Sequence, residues 1–223
     1  MAESIISLNG ESVQTLEVLF LTTIITLLPS LLVMMTPFSR YIITFSFLRL
    51  ALGTQQTPPN IVLIGLALFL TLFTMGPTID TIRTEAYQPY IAEEITQEEF
   101  VDRVQQPLKE FMLRNTKTAT LEMYCDLANE PAPEAYNLAT TSKLPLKIIV
   151  PAFMTCELQR AFEIGFLLYI PFMLIDIVVS STLMSMGMIM LPPSMISMPF
   201  KLLLFVALNG WELLFTSLVQ GFN

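Results

Sequence analysis

The side chains with the most distinctive chemistry are thioethers, crowded into Met184-Ser-Met186-Gly-Met188-Ile-Met190-Leu-Pro192-Pro193-Ser-Met195-Ile-Ser-Met198-Pro199 with no charge among them. Methionine is unbranched, flexible and polarizable, so a cluster of it makes an apolar surface that repacks around changing shapes. Two readings follow from the residues alone: a compliant closure in a passage, or a filling for irregular gaps between buried helices. Two charged groups flank this stretch. Between Ile164 and Trp211 the only charges are Asp176 and Lys201, of opposite sign, on either side of the double proline. An unpaired charge in such surroundings is costly, so each is expected to meet the other, within a hairpin or across a subunit boundary. Their structural use is a buried ion pair that fixes register. Their chemical use is a proton relay, which needs titratable neighbours that this stretch lacks.

Other chemistry is scarce. The chain has no histidine, which removes the commonest general base and the commonest metal ligand together. Neither a GxxxxGK[ST] phosphate loop nor a GxGxxG turn occurs, so any transport work would draw its energy from a partner or an ion gradient. The expectation is a protein that is no enzyme, with no cofactor and no metal site. A formal charge of −8 argues against nucleic acid, whose phosphates call for a basic surface. Cys125 and Cys156 show no pairing pattern and are expected to be free thiols.

The elements that must hold these groups are apolar. With 53% hydrophobic and 13% charged residues and a mean hydropathy of +0.64, the chain reads as membrane-associated. Val18 to Ser39, Leu50 to Ile79 and Ile177 to Phe200 are uncharged, and Leu202 to Phe222 is interrupted only by Glu212; each is long enough to be a candidate span. Prolines at 29, 37, 58–59, 77, 171, 192–193 and 199 are expected to break these segments, and broken helices persist at membrane depth only against protein or a water-filled cavity. The start, MAESIISLNGESVQ, lacks the basic region and short apolar core of a secretory signal peptide.

The chain divides into a leader (1–15), an apolar block (16–82), a polar acidic block (83–147) and a second apolar block (148–223). In the polar block, Phe100, Val104, Leu108, Phe111 and Met112 recur at helical spacing over 95–118, with Thr96 and Glu99 as a capping box and Pro107 as a bend or restart. A second helix is expected over 119–129, then a loop around Pro131 and Pro133. No strand period is present, and the fold class is all-α. Arg40, Arg49 and Lys201 are expected to lie in cytoplasmic links, which would put the acidic block across the membrane.

Several longer segments carry a resemblance: Arg40-Tyr-Ile-Ile-Thr-Phe-Ser-Phe-Leu-Arg-Leu-Ala-Leu-Gly-Thr54, Pro58-Pro-Asn60, Ala86-Tyr-Gln-Pro89, Pro107-Leu-Lys-Glu-Phe-Met-Leu-Arg114, Pro171-Phe-Met-Leu-Ile-Asp176 and Met186-Gly-Met-Ile-Met-Leu-Pro-Pro193. In order and over nearly the whole chain they resemble the FliP family, the P subunit of the flagellar type III protein-export gate. The resemblance implies a homo-oligomer, a pentamer, in the bacterial inner membrane at the flagellar basal body. Its implied partners are the Q and R subunits (FliQ and FliR), the FlhB and FlhA proteins, membrane lipid, and unfolded flagellar export substrates. It also implies that Met188, Ile189 and Met190, with Met186 beside them, line the constriction of the shared channel, and that Asp176 pairs with Lys201.

Some positions depart from the family pattern. Ile189 stands where many relatives have a third methionine, which keeps the site apolar but stiffens it at χ1. Asn209 replaces the aspartate usual before Gly210-Trp211, and Cys156 a serine. Three other readings stay open at this point: the corresponding subunit of virulence injectisomes, a small ion- or solute-conducting membrane subunit, and a passive membrane scaffold. Ala86-Tyr-Gln-Pro89 and Phe111-Met-Leu-Arg114 favour the flagellar one.

Overall fold

The computed structural model describes residues 6–8, 11–13, 15–131, 133, 138–188 and 190–222. Among these the regular structure is helical except for two short strands, β1 (Ile6–Leu8) and β2 (Glu11–Val13), paired antiparallel with Ile6 opposite Val13. Strands of three residues leave no readable period in a sequence, so this small addition to the all-α fold was not foreseen. Helix α1 (Thr15–Met35) turns into α2 (Phe38–Leu52) at an 81° bend. Helix α3 (Asn60–Thr74) bends by 62° into α4 (Gly76–Ile82), a π turn (Arg83–Tyr87) and α5 (Gln88–Ile91). The polar block supplies α6 (Gln97–Arg114), α7 (Thr118–Leu127) and α8 (Leu138–Thr141). Helix α9 (Leu146–Ser185) runs for 40 residues, and α10 (Pro193–Ala207) and α11 (Gly210–Gln220) close the chain with a 63° bend between them.

The capping box at the start of α6 is present: the Glu99 N–H donates to Thr96 Oγ1 and the Thr96 N–H to Glu99 Oε2. The prolines divide into two groups. Pro37, Pro58-Pro59, Pro77 and Pro192-Pro193 stand at helix starts, where a missing N–H costs nothing. Pro29, Pro107, Pro171 and Pro199 lie inside continuous helices, against expectation. Pro107 itself is buried, so packing offsets its lost backbone hydrogen bond.

None of the four apolar segments is a single element: Val18 to Ser39 runs from α1 into α2, Leu50 to Ile79 from α2 through α3 into α4, and Leu202 to Phe222 from α10 into α11. Ile177 to Phe200 straddles the end of α9 and the start of α10. Among the described residues α9 is the helix long and apolar enough by itself to cross a membrane, at about 60 Å. It escaped notice because Glu157, Arg160 and Glu163 interrupt its apolar run. Three bent pairs (29–35 with 38–52, 60–74 with 76–91, and 193–207 with 210–220) reach that length only when each is counted as one span. The supposed cytoplasmic link from 36 to 60 is mostly α2, and α2 is the inner helix of the fold.

Tyr41, Phe45, Leu48 and Leu52 of α2 pack with Leu63 and Ala67 of α3, Phe172 of α9, Phe205 of α10, and Leu214 and Leu218 of α11. A second cluster joins Phe111 and Met112 of α6 to Met35, Met75, Ile149 and Phe153. A third seats Leu121 and Cys125 of α7 on Ile148 and Ala152. Cys125 and Cys156 are both free and buried. Burial, helped by Asp126, Glu130 and Glu122, pushes the Cys125 thiol above its ordinary range, so little thiolate forms there.

Helices α2 and α9 form the most extensive pairing in the chain. Gly165 allows their close approach, because a Cβ there would fall 2.5 Å from Cγ and 2.9 Å from Cβ of Phe47. The Phe47 ring is held in turn by an edge contact with Phe162, with centroids 5.4 Å apart. Alanine in a helix gains about 0.8–1 kcal/mol over glycine by propensity, whereas forcing extra volume into a packed contact costs about 1–3 kcal/mol. Gly165→Ala is therefore expected to lower the thermal midpoint of the detergent-extracted protein. A raised midpoint would show that the α2–α9 contact is looser than described.

Candidate functional site

Asp176 on α9 and Lys201 on α10 come together, with Lys201 Nζ 2.6 Å from Asp176 Oδ2. Two groups not singled out in the sequence complete the arrangement. Ser197 Oγ donates to Asp176 Oδ1 at 2.6 Å, and Lys201 Nζ also donates to the Ala51 carbonyl at 3.0 Å. Ser197 and Lys201 are four residues apart on one helix and so share a face, which is the signal that would have found Ser197. Ala51 lies in the last turn of α2, where unpaired carbonyls favour a cation. One ammonium thus ties three helices. The pair is unevenly buried: the Lys201 side chain is 6% exposed and that of Asp176 33%. Ser197 and the Ala51 carbonyl, which complete the pair, are fixed structural groups rather than further titratable ones, which favours anchoring over a proton relay.

A second interior pair joins Arg40 of α2 to Glu157 of α9. Arg40 Nε and Nη2 donate to the two Glu157 oxygens at 2.7 and 2.5 Å. Both residues are almost fully buried, at 1% and 0% exposure. Arg40 also donates to the Gly221 carbonyl at 3.3 Å, and its guanidinium carbon lies 3.5 Å over the Phe222 ring. The planar guanidinium suits this combination of bidentate pairing and stacking. No local signal announces this pair: by sequence Arg40 reads as a topogenic charge, and Glu157 lies 117 positions away. Arg40 and Lys201 are interior side chains, so of the three basic residues used for orientation only Arg49 remains as support for placing the acidic block across the membrane.

The methionine stretch lies at the tip of the α9–α10 hairpin. Gly187 at φ 75°, with its N–H on the Met184 carbonyl and the Met188 N–H on the Leu183 carbonyl, closes α9 as a Schellman motif. The end of α9, through Met188, is thus a defined cap. Met186, Met188 and Met190 are 65%, 43% and 98% exposed. Ile189 lies outside the described residues. The methionines that do fill the core are Met35, Met75 and Met112, so Met186, Met188 and Met190 are not gap fillers within this chain. Nine residues of helix separate Asp176 from Ser185, about 14 Å, so the ion pair sets the hairpin whose tip carries the thioethers.

Removing one partner of a buried pair typically costs about 3–5 kcal/mol. Asp176→Ala strands the buried Lys201 ammonium and is expected to lose most folded protein on size-exclusion after detergent extraction. Lys201→Ala leaves a carboxylate that water reaches, and the loss is expected to be smaller. The exchange Asp176→Lys with Lys201→Asp is expected to recover little, because a carboxylate at 201 faces the Ala51 carbonyl. Equal loss from both single variants, with full recovery in the exchange, would contradict this geometry.

The FliP family pattern matches residues 21–218 of the chain. The flagellar biosynthetic protein FliP of Aquifex aeolicus (strain VF5) is 51% identical over 215 residues, covering 96% of this chain and 89% of that protein. The protein of the same name from Pectobacterium carotovorum subsp. carotovorum is 48% identical over 219 residues, covering 96% of this chain and 82% of the relative. That of Bacillus subtilis (strain 168) is 47% identical over 208 residues, covering 93% and 92%. Similarity of this extent, running from within α1 to within α11 and taking in both ion pairs and the methionine turn, is that of common descent: the chain belongs to the FliP family.

Proposed function

We propose that the chain is a core subunit of the flagellar export gate in the bacterial inner membrane, several copies of which enclose a channel for unfolded flagellar proteins. The observation that carries this reading is the placement of Met186, Met188 and Met190 on the exposed, capped tip of the α9–α10 hairpin rather than in the core. Repeated around a ring of subunits, these side chains, with Ile189 between them, form an apolar closure that deforms for a passing chain and refills behind it. Exposed apolar side chains elsewhere support assembly or lipid contact: Phe69 on α3 is 75% exposed, Val206 on α10 71% and Leu203 on α10 69%. Large exposed apolar surface of this kind marks membrane or protein contact. The Q and R subunits and the FlhB and FlhA proteins are the partners this role calls for. The flagellar names of the relatives favour this role over an injectisome one.

The test is substitution of Met186, Met188 and Met190 together. Alanine removes most of the apolar bulk, and the three positions lie outside both helices and outside the core, so assembly is expected at normal levels. Intact cells carrying that gate are expected to leak small ions several-fold faster while still exporting substrate. Leucine at the same three positions is expected to keep the seal and slow export. Unchanged conductance in cells with a normally assembled triple-alanine gate would refute the closure.

A further inference from the structure

The chain carries 14 methionines, and they are unevenly shared between interior and surface. Among the described residues the four most exposed are Met190, Met184, Met195 and Met186, at 98%, 69%, 68% and 65%. All four stand at one place: Met184 in the last turn of α9, Met186 at its C-cap, Met195 in the first turn of α10 and Met190 in the link between them. Met35, Met75 and Met112 are buried in the core. The groups that usually take up an oxidant first are thiolates. Here Cys125 and Cys156 are both fully buried, and burial keeps the Cys125 thiol protonated. The most accessible oxidisable sulfur is therefore thioether, and it is concentrated on the hairpin tip.

We propose that the α9–α10 tip is a modification site at which a peroxide converts exposed methionines to sulfoxides, Met190 first. In each event a sulfur lone pair attacks one peroxide oxygen. The O–O bond breaks as an S–O bond forms, the sulfur gives up two electrons, and the other oxygen leaves as water carrying both protons. The product is polar where the thioether was apolar, and it is reversible: two thiols become a disulfide as the oxygen departs as water. Oxidation at the tip alters a surface rather than the fold. The hairpin is tied by Asp176, Ser197, Lys201 and the Ala51 carbonyl, and its cap is backbone around Gly187, so neither uses sulfur. A sulfoxide at Met112, by contrast, would bury an unpartnered polar group. The consequence for a channel rests on the closure proposed above, whose apolar seal takes up water once its thioethers are oxidised; the place of oxidation does not depend on that reading.

The test treats the full chain in mild detergent with millimolar hydrogen peroxide and follows added oxygen at each methionine by peptide mass mapping. The four tip methionines are expected to oxidise about tenfold faster than Met35, Met75 and Met112, with the thermal midpoint unchanged while only the tip is modified. Equal rates at tip and core, or a midpoint that falls with the first oxygen added, would overturn the proposal. In cells carrying the assembled gate, peroxide is expected to raise ion leakage several-fold, and expression of a methionine sulfoxide reductase to reverse the rise. Leucine in place of Met184, Met186, Met190 and Met195, close to methionine in volume, is expected to make leakage indifferent to peroxide. Leakage that peroxide leaves unchanged, in a gate that the triple-alanine variant does open, would overturn the redox effect and spare the closure. Leakage unchanged by both treatments would overturn the closure itself.

Discussion

The structure depends on a buried guanidinium–carboxylate contact between its two most closely packed helices. In a chain this apolar, dispersion and exclusion from water hold helices together without specifying which faces meet, because many registers bury similar area. Arg40 and Glu157 remove that freedom. Bidentate pairing with both groups dehydrated allows one rotation and one depth of α2 against α9, and any slip leaves two charges unpaired in a medium that penalises them. The close seat of Phe47 over Gly165 lies on the same contact, two turns further along α9. The stack of Phe222 on Arg40 then brings the C-terminal end to that point, where Phe222 also meets Phe111 of the polar block. Apolar and polar halves are thereby fixed to one reference.

With α2 placed, the second pair falls into position. The Ala51 carbonyl at the end of α2 receives Lys201, and Lys201 with Ser197 receives Asp176, so the α9–α10 hairpin is tied at both sides to the helix it packs on. The thioethers of Met186, Met188 and Met190 then stand 10 to 14 residues beyond Asp176, a rigid anchor. The compliant closure proposed for these methionines needs this combination, since mobile side chains on a mobile turn would leave its position undefined. Stiffness comes from the charges and from the αL cap at Gly187; compliance comes from the methionines themselves.

Much of this was legible in the residue order, and the failures have a common cause. The helix over 97–114 and its capping box were readable because amphipathic spacing and a local hydrogen-bond pattern are written within a few residues. The meeting of Asp176 and Lys201 was readable because the two are isolated in an uncharged stretch. Arg40 and Glu157 were not, because Arg160 and Glu163 stand close to Glu157 in sequence and 117 positions separate it from Arg40; nothing local marks the two as partners. The same charges hid the length of α9, since a hydropathy window treats Glu157 as a break even when a guanidinium neutralises it. Interior prolines misled for a related reason, as packing against neighbouring helices outweighs the loss of one backbone hydrogen bond. Asn209 reads in sequence as a departure from the family's aspartate, whereas in the structure it is a residue at φ 50° on the α10–α11 bend, a backbone conformation asparagine tolerates well.

The central claim is that the Arg40–Glu157 pair specifies the packing of α2 on α9, and a double-substitution cycle on thermal unfolding of the extracted protein tests it most directly. Glu157→Met leaves Arg40 and Arg160 both without a counter-charge and is predicted to cost about 3–5 kcal/mol, the usual penalty for a broken buried pair. Arg40→Met is predicted to cost less, since Arg160 at 3.8 Å can close on the freed carboxylate. The double variant, in which two apolar side chains of similar length replace the pair, is predicted to recover most of the stability lost by Glu157→Met. Two single variants as stable as the parent, or a double variant whose loss is the sum of the two, would contradict the claim.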